Sequence, residues 1–238
     1  MSLLTLVRRV ARQVGLAQPT VVMSSTEETV LQLLEWAQEG VDDIALRHDW
    51  TGLNQTQTLT GDGVTTAFTL ASDFSRLSKM PAVSRDNSTS PFWPAGPLTS
   101  PSFIAASTGL TGLGARPLFK IANSGSAVTL TFVTAPPDDE TYTVSYQSSK
   151  AILSSSSPVA EWTLDADTLI GIPERLLRLY LRYKWKQSKG LPYAEEMTDY
   201  ERALETEASF DWGLLAQSTS RREIDNPGDE WGEPQVTV

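Results

Sequence analysis

The chain has 238 residues, no cysteine, one histidine and a formal net charge of −10. That inventory excludes disulfides and thiolate metal centres, leaves His48 alone for histidine chemistry, and makes a reducing compartment the simpler expectation. An apolar fraction of 40% suffices for a core, the negative balance speaks against a surface that grips duplex nucleic acid, and no apolar run approaches the ~20 residues of a membrane span.

Ser2 to Val14 is predicted to be a short amphipathic helix. Leu3, Leu6, Val7, Val10 and Val14 share one face, Arg8, Arg9 and Arg12 lie largely opposite, and Gly15 ends it. It reads as a core-packing helix with a solvated basic side rather than as a membrane-surface helix. Arginines inside its apolar stretch, and no small-residue cleavage site, set it apart from a signal peptide. Ser25 followed by Glu28 matches a capping box. Behind it Val30, Leu33, Leu34, Ala37, Val41, Ile44 and Ala45 keep helical spacing as far as His48-Asp49-Trp50. A histidine at a helix C-terminus suits the dipole and packing, so His48 is assigned a structural place rather than that of a ligand or base.

From Asn54 the period changes. Thr56, Thr58, Thr60, Thr65, Thr66 and Thr69 interleave with Leu59, Phe68 and Leu70, which is strand chemistry. Gly61-Asp62-Gly63 is read as a hairpin turn. Met80 to Gly114, rich in Pro, Ser, Thr and Gly, is expected to hold loops, with Phe92 and Trp93 as an anchor and one helical turn at Pro101–Ala106. Leu118–Ile121, Val128–Phe132 and Tyr142–Tyr146 alternate as three strands, and Pro136-Pro137-Asp138-Asp139 turns the chain before the last. Turn chemistry and solvation explain Asp138, Asp139 and Glu140 better than a cation site does. Ser154 to Ser157 reads as a connection back to helices.

Ile172 to Gly190 is the anchor. Pro173 suits a first helical position, Glu174 the positive end of the dipole, Lys184, Lys186 and Lys189 its negative end, and Gly190 the stop. From Tyr193 to about Gln217 a second helix carries Glu195, Glu196, Asp199, Glu201, Glu205, Glu207 and Asp211 against Arg202 alone, with Tyr193, Met197, Tyr200 and Leu204 on one face. A basic and an acidic helix joined by a short turn predict an antiparallel pair. The acidity is local: Leu191 to Val238 holds 12 acidic and three basic residues, a net of −9. After Gln217 the chain is polar, with Pro, Gly and an isolated Trp231, and is expected to form a flexible tail.

The order of elements predicts an α+β fold. A bundle of about four helices (1–53 and 151–217) would carry an inserted antiparallel β domain (54–150) and a C-terminal docking tail (218–238). No enzyme, cofactor or metal site is expected. A nucleophilic triad lacks a base, no Walker or Rossmann pattern is present, and Glu195/Asp199 and Glu201/Glu205 read as a solvated acidic face rather than a glycosidase pair. What is left is a structural or binding role.

Several stretches share a family pattern. LLTLVRRVARQVGLAQPTVV with STEETVLQLLEWAQEGVDDIALRHDW, GDGVTTAFTLASDFSRL with its Leu-x-x-Asp-Phe exit, and ARPLFKIANSGSAVTLTFVTAPPDDETYTVSYQSS all contribute. The most specific is WTLDADTLIGIPERLLRLYLRYKWKQSKGLPYAEEMTDYERAL, with Asp165, Asp167, Ile172-Pro173-Glu174, Trp185, Gly190, Tyr193 and Tyr200. In these the chain resembles the head–tail adaptor (connector, head-completion) proteins of tailed bacteriophages; Ser88–Gly114 departs from that pattern. The resemblance implies a structural protein of the virion neck, assembled in the host cytoplasm as a ring, usually of twelve copies. Its partners would be further copies, the portal protein, a tail or neck protein, and phage DNA passing through the channel without specific binding; no membrane is involved. The charge split makes Arg175, Arg178, Arg182, Glu201 and Glu205 the expected oligomer-interface residues, and the tail offers Ile224, Trp231, Val236 and Val238 for docking on the portal. The alternative is a tail or receptor-binding module whose β domain recognises a host glycan; an enzyme with a carboxylate pair is a third class.

Overall fold

The computed structural model describes residues 1–79, 82–87, 90–99, 102–103, 117–123, 125 and 127–220, with side chains for all of these except 86–87, 90–94 and 212–220. Helix α1 (Leu3–Gln13) buries Leu3, Leu6, Val7, Val10 and Ala11, and the Ser2 hydroxyl accepts the Thr5 N–H at its start. It stops as Gly15 predicts: that residue has φ +77°, and the Leu16 N–H reaches back to the Ala11 carbonyl at 2.8 Å. Helix α2 (Glu28–Arg47) buries Val30, Leu33, Ala37, Gly40, Val41 and Ile44. Its capping box does not form. The N-cap is Glu27, two residues past Ser25, and the Ser25 hydroxyl serves the Glu27 N–H at 3.2 Å instead.

Helix α3 (Glu174–Ser188) begins one residue later than expected, with Pro173 in extended conformation as the N-cap rather than in the first turn. It ends in a full Schellman closure at Gly190, φ +65°: Leu191 N–H to Lys186 O at 2.9 Å and Gly190 N–H to Gln187 O at 3.1 Å. Helix α4 (Ala194–Ser220) runs past the expected end at Gln217. Its buried face is Glu196, Tyr200, Ala203 and Leu204, whereas Met197, expected on it, is 44% exposed. Helices α1, α2 and α4 all contact α3. The approach of α2 to α3 depends on Gly40, where a Cβ would stand 2.7 Å from the side chains of Leu177 and Tyr180. These helices share one apolar core with Trp50, Leu53, Ile152 and Trp162.

The β strands are β1 (Asn54–Thr60), β2 (Ala67–Thr69), β3 (Phe74–Leu77), β4 (Val83–Asn87), β5 (Ser90–Pro94), β6 (Gly96–Pro97), β7 (Leu118–Asn123), β8 (Val128–Phe132), β9 (Thr141–Ser148), β10 (Ile152–Ser154), β11 (Ser157–Val159) and β12 (Thr168–Leu169). In the first sheet β1 lies along the whole of β9, and β4 and β3 share β9's other side, one pairing its first half and the other its second. The second sheet has the order β2-β8-β7-β6. The two enclose a separate core of Leu59, Val83, Tyr142 and Val144 against Phe119, Leu130 and Phe132. Phe132 stands at its centre, 4.8 Å from the Tyr142 ring.

Four expectations are corrected here. Gly61-Asp62-Gly63 does not close a hairpin, because β1 pairs with β9 and β2 with β8. It transfers the chain between sheets, braced by Gly61 N–H to Glu140 O and Gly63 N–H to Pro136 O. The Pro/Ser-rich stretch expected to be loops contains β4, β5 and β6. The β region is mixed rather than purely antiparallel, since β6 runs parallel to β7. The serine run is a tight hairpin: β10 and β11 pair through Ser154 and Ser157, with positive φ at Ser155 and Ser156. The fold is thus mixed α+β, with four α-helices among the described residues. Its two regions meet where the chain leaves α2 and returns to α3. There a Cβ on Gly52 would stand 2.3 Å from the Gly171 Cα.

Candidate functional site

The charges of the α3–α4 pair are engaged chiefly inside the subunit. Glu196, buried among the helices, receives Lys186 Nζ and lies 3.4 Å from Arg182 Nη2. The hydrogen bond from Lys186 above all holds its carboxyl below the usual range against the opposing effect of burial. At the other end of the seam Arg175 lies 3.6 Å from Glu207. Glu201 is taken by α2, where Arg47 Nη1 donates to both of its carboxylate oxygens at 3.0 Å. Arg178 is half-buried with no ion pair among the described residues, and Glu205 is exposed. Of the expected interface residues, Arg175, Arg182 and Glu201 therefore have partners within the chain, while Arg178 and Glu205 have no ion pair among the described residues. Ile224, Trp231, Val236 and Val238, the expected portal-docking residues, lie outside the described residues, as do the side chains of Phe92 and Trp93 and most of Pro101–Ala106.

Between the helices polar groups follow the same habit. Tyr200 donates to Asp43 at 2.9 Å, and burial, then that bond, pushes its hydroxyl pKa up. His48 closes α2 as its C-cap, with its ring edge-on to Trp50 at 4.7 Å and Nε2 3.1 Å from Asp211 Oδ2.

The aspartates of the sequence pattern turn out to be pins. Asp165 accepts the Val22 and Met23 N–H groups, and its own carbonyl receives Leu4 N–H. Asp167 is buried. Burial alone would raise its carboxyl, but hydrogen bonds from Ser154, Thr163 and Leu164 hold it low. Together they fasten the N-terminal helix and the loop behind it to the approach to α3. Asp73, the acid of the Leu-x-x-Asp-Phe segment, accepts the Tyr146 and Ser148 hydroxyls of β9 at 3.0 and 2.8 Å. Burial, then this contact, pushes Tyr146 up to about 12.

Two residues had no sequence signal. Arg76 on β3 donates to the Ala45 and His48 carbonyls and to Asp49, capping α2 from the β region. Asp211 reaches back from α4 to Thr51 and His48. A cavity of about 250 Å³ lies at the junction, lined in part by Gly52, Gln55, Asp73, Ser148, Lys150 and Ile170.

Among the described residues no three His, Asp or Glu side chains converge as a metal ligand set, and no helix is long and apolar enough to cross a membrane. Asp167 and Glu196, the buried carboxylates among these residues, both hold backbone, hydroxyl or cationic groups of the same chain. That is pinning chemistry, suited to a rigid building block. No curated protein matches the sequence. The model of one protein family, the SU10 adaptor proteins, matches residues 1–230. The chain belongs to the SU10 adaptor protein family and is a phage structural adaptor protein.

Proposed function

We propose that the chain forms a ring, of twelve copies, that joins the portal of the phage head to the tail and continues the DNA channel. Family membership across 1–230 is the observation that supports this reading. In it the helices (1–53 and 151–217) form a bundle, the β region (54–150) is a domain inserted into it, and residues 218–238, with Ile224, Trp231, Val236 and Val238, dock on the portal. The neck of the virion is its place and no turnover is involved. An acidic wall lets DNA slide, because retention needs cations. In this reading Arg178 and Glu205, which have no ion pair among the described residues, face a neighbour, with Arg175, Arg182 and Glu201 shaping the same seam.

The test is electron microscopy and native mass spectrometry of the purified chain, alone and with the portal. A closed ring of twelve that binds the portal is the expected outcome. A chain that stays monomeric with the portal present would overturn the ring. Arg178→Glu should lower the ring population several-fold at low salt, an effect that weakens as salt rises. Unchanged assembly by that variant removes Arg178 from the interface and leaves the ring standing.

A further inference from the structure

Helix α4 changes character after Leu204. Its inner turns bury Glu196, Tyr200, Ala203 and Leu204, but none of residues 205–211 is buried, and Phe210 is 74% exposed. The ties of these outer turns are polar. Arg175 faces Glu207 at 3.6 Å. Among the described residues Asp211 carries the rest: Oδ2 accepts the Thr51 N–H at 2.9 Å and lies 3.1 Å from His48 Nε2, and Oδ1 accepts the Thr51 hydroxyl at 2.6 Å.

The seat that receives this carboxylate is itself rigid. Trp50 is fully buried, and its indole N–H donates to the Ile44 carbonyl at 2.8 Å. Arg76 braces Ala45, His48 and Asp49 from the β region, and the Lys79 N–H holds Asp49 at 2.7 Å. One carboxylate on a stretch, 205–211, with no buried residue is thus plugged into a fixed socket. Apolar packing resists opening over its whole area of contact. A few directional bonds to one group are lost together, so a segment held by them opens locally without the core.

We propose that residues 205–211 of α4 are a strap latched by Asp211 to the end of α2, able to unwind and leave that seat while the inner turns stay packed. The strap has two positions, seated and released. The inference stands independently of the ring.

Hydrogen–deuterium exchange on the purified full chain tests it, comparing wild type with Asp211→Ala and Asp211→Asn. In Asp211→Ala, amides 206–211 should exchange at least about tenfold faster while amides 198–204 and the unfolding midpoint stay as in wild type. Asp211→Asn keeps an acceptor for the Thr51 hydroxyl and should fall between; it also serves if the alanine variant does not fold. Equal acceleration in both halves of α4 overturns the proposal, because the helix then opens as one piece. So does unchanged exchange at 206–211, which would mean that something other than Asp211 holds the strap.

Discussion

The helical and β regions are held together by opposite uses of the chain. Helices α1 and α3 are closed by signals a few residues away, Gly15 and Gly190, and the period of Val30 to Ile44 writes α2. Single pins then fasten distant helices, as Asp165 does for Val22 and Met23. In the β region the defining contact is itself distant. Strand β1 pairs along its length with β9, 81 to 93 residues further on. A helix can thus form and then find its place, whereas β1 has no identity until β9 arrives, so its pairing carries the larger loop-closure cost. The two regions are not independent, because the chain leaving α2 crosses the chain returning to α3, and Arg76 caps α2 from β3.

The crossing is where the comparison breaks most easily. A Cβ on Gly52 meets the backbone of Gly171, which cannot turn aside as a side chain can, and Gly171 itself sits at φ +66°. Gly52→Val should cost about 3 kcal/mol or more and lower the unfolding midpoints of both regions together. The probe is thermal unfolding followed by far- and near-ultraviolet circular dichroism. A loss confined to one region, or below about 1 kcal/mol, would show that the crossing does not couple them.

The next effect belongs to the helices alone. Glu196→Ala leaves Lys186 and Arg182 facing an apolar seam and should cost about 2–3 kcal/mol at pH 7. The carboxyl is depressed in the folded state, so its contribution is complete above the ordinary value of 4.5 and disappears as pH falls through the lower folded value. In denaturant titrations of both proteins from pH 7 to 3 the gap should therefore narrow towards the acid end. A gap that stays constant with pH would make the loss one of packing and not of charge.

These cases show what the sequence could display. The C-terminal ends of α1 and α3 are legible because a glycine with positive φ closes a helix by local geometry. The start of α2 is not, although Ser25 and Glu28 have the right spacing, since spacing does not say which residue is the N-cap. Apolar periodicity puts Met197 inside, while the core position beside it belongs to Glu196 with its two cations. Gly61-Asp62-Gly63 looked like a hairpin because that rule assumes neighbouring strands pair; the partner of Gly61 is the Pro136–Glu140 turn, far along the chain. The helix pair was visible as opposite charge, but not that Arg175, Arg182 and Glu201 find acids or bases within the subunit. Asp211 and Arg76 give no sign, because each acts on residues 45–51 from more than 25 positions away.

The smallest effect sharpens the comparison, because one β element does follow the local rule. Strands β10 and β11 are joined by Ser155 and Ser156 alone, with φ of +47° and +72°. A two-residue connection with both residues in the left-handed region is the turn that Asn-Gly adopts most readily, and serine enters it at a cost. Both serines are exposed, so replacing them disturbs no packing. Ser155→Asn with Ser156→Gly should therefore stabilise the chain by about 0.5–1 kcal/mol, read as a higher midpoint in denaturant. The gain should reach the helices, since Ile152 is fully buried in their core and Val159 packs against it. The turn at Gly61 offers no such opening. A Cβ there would stand 2.2 Å from the Pro137 carbonyl oxygen, so Gly61→Ala should lose stability. A gain at Gly61, or none at Ser155–Ser156, would mean that local and distant pairing do not divide the molecule along these lines.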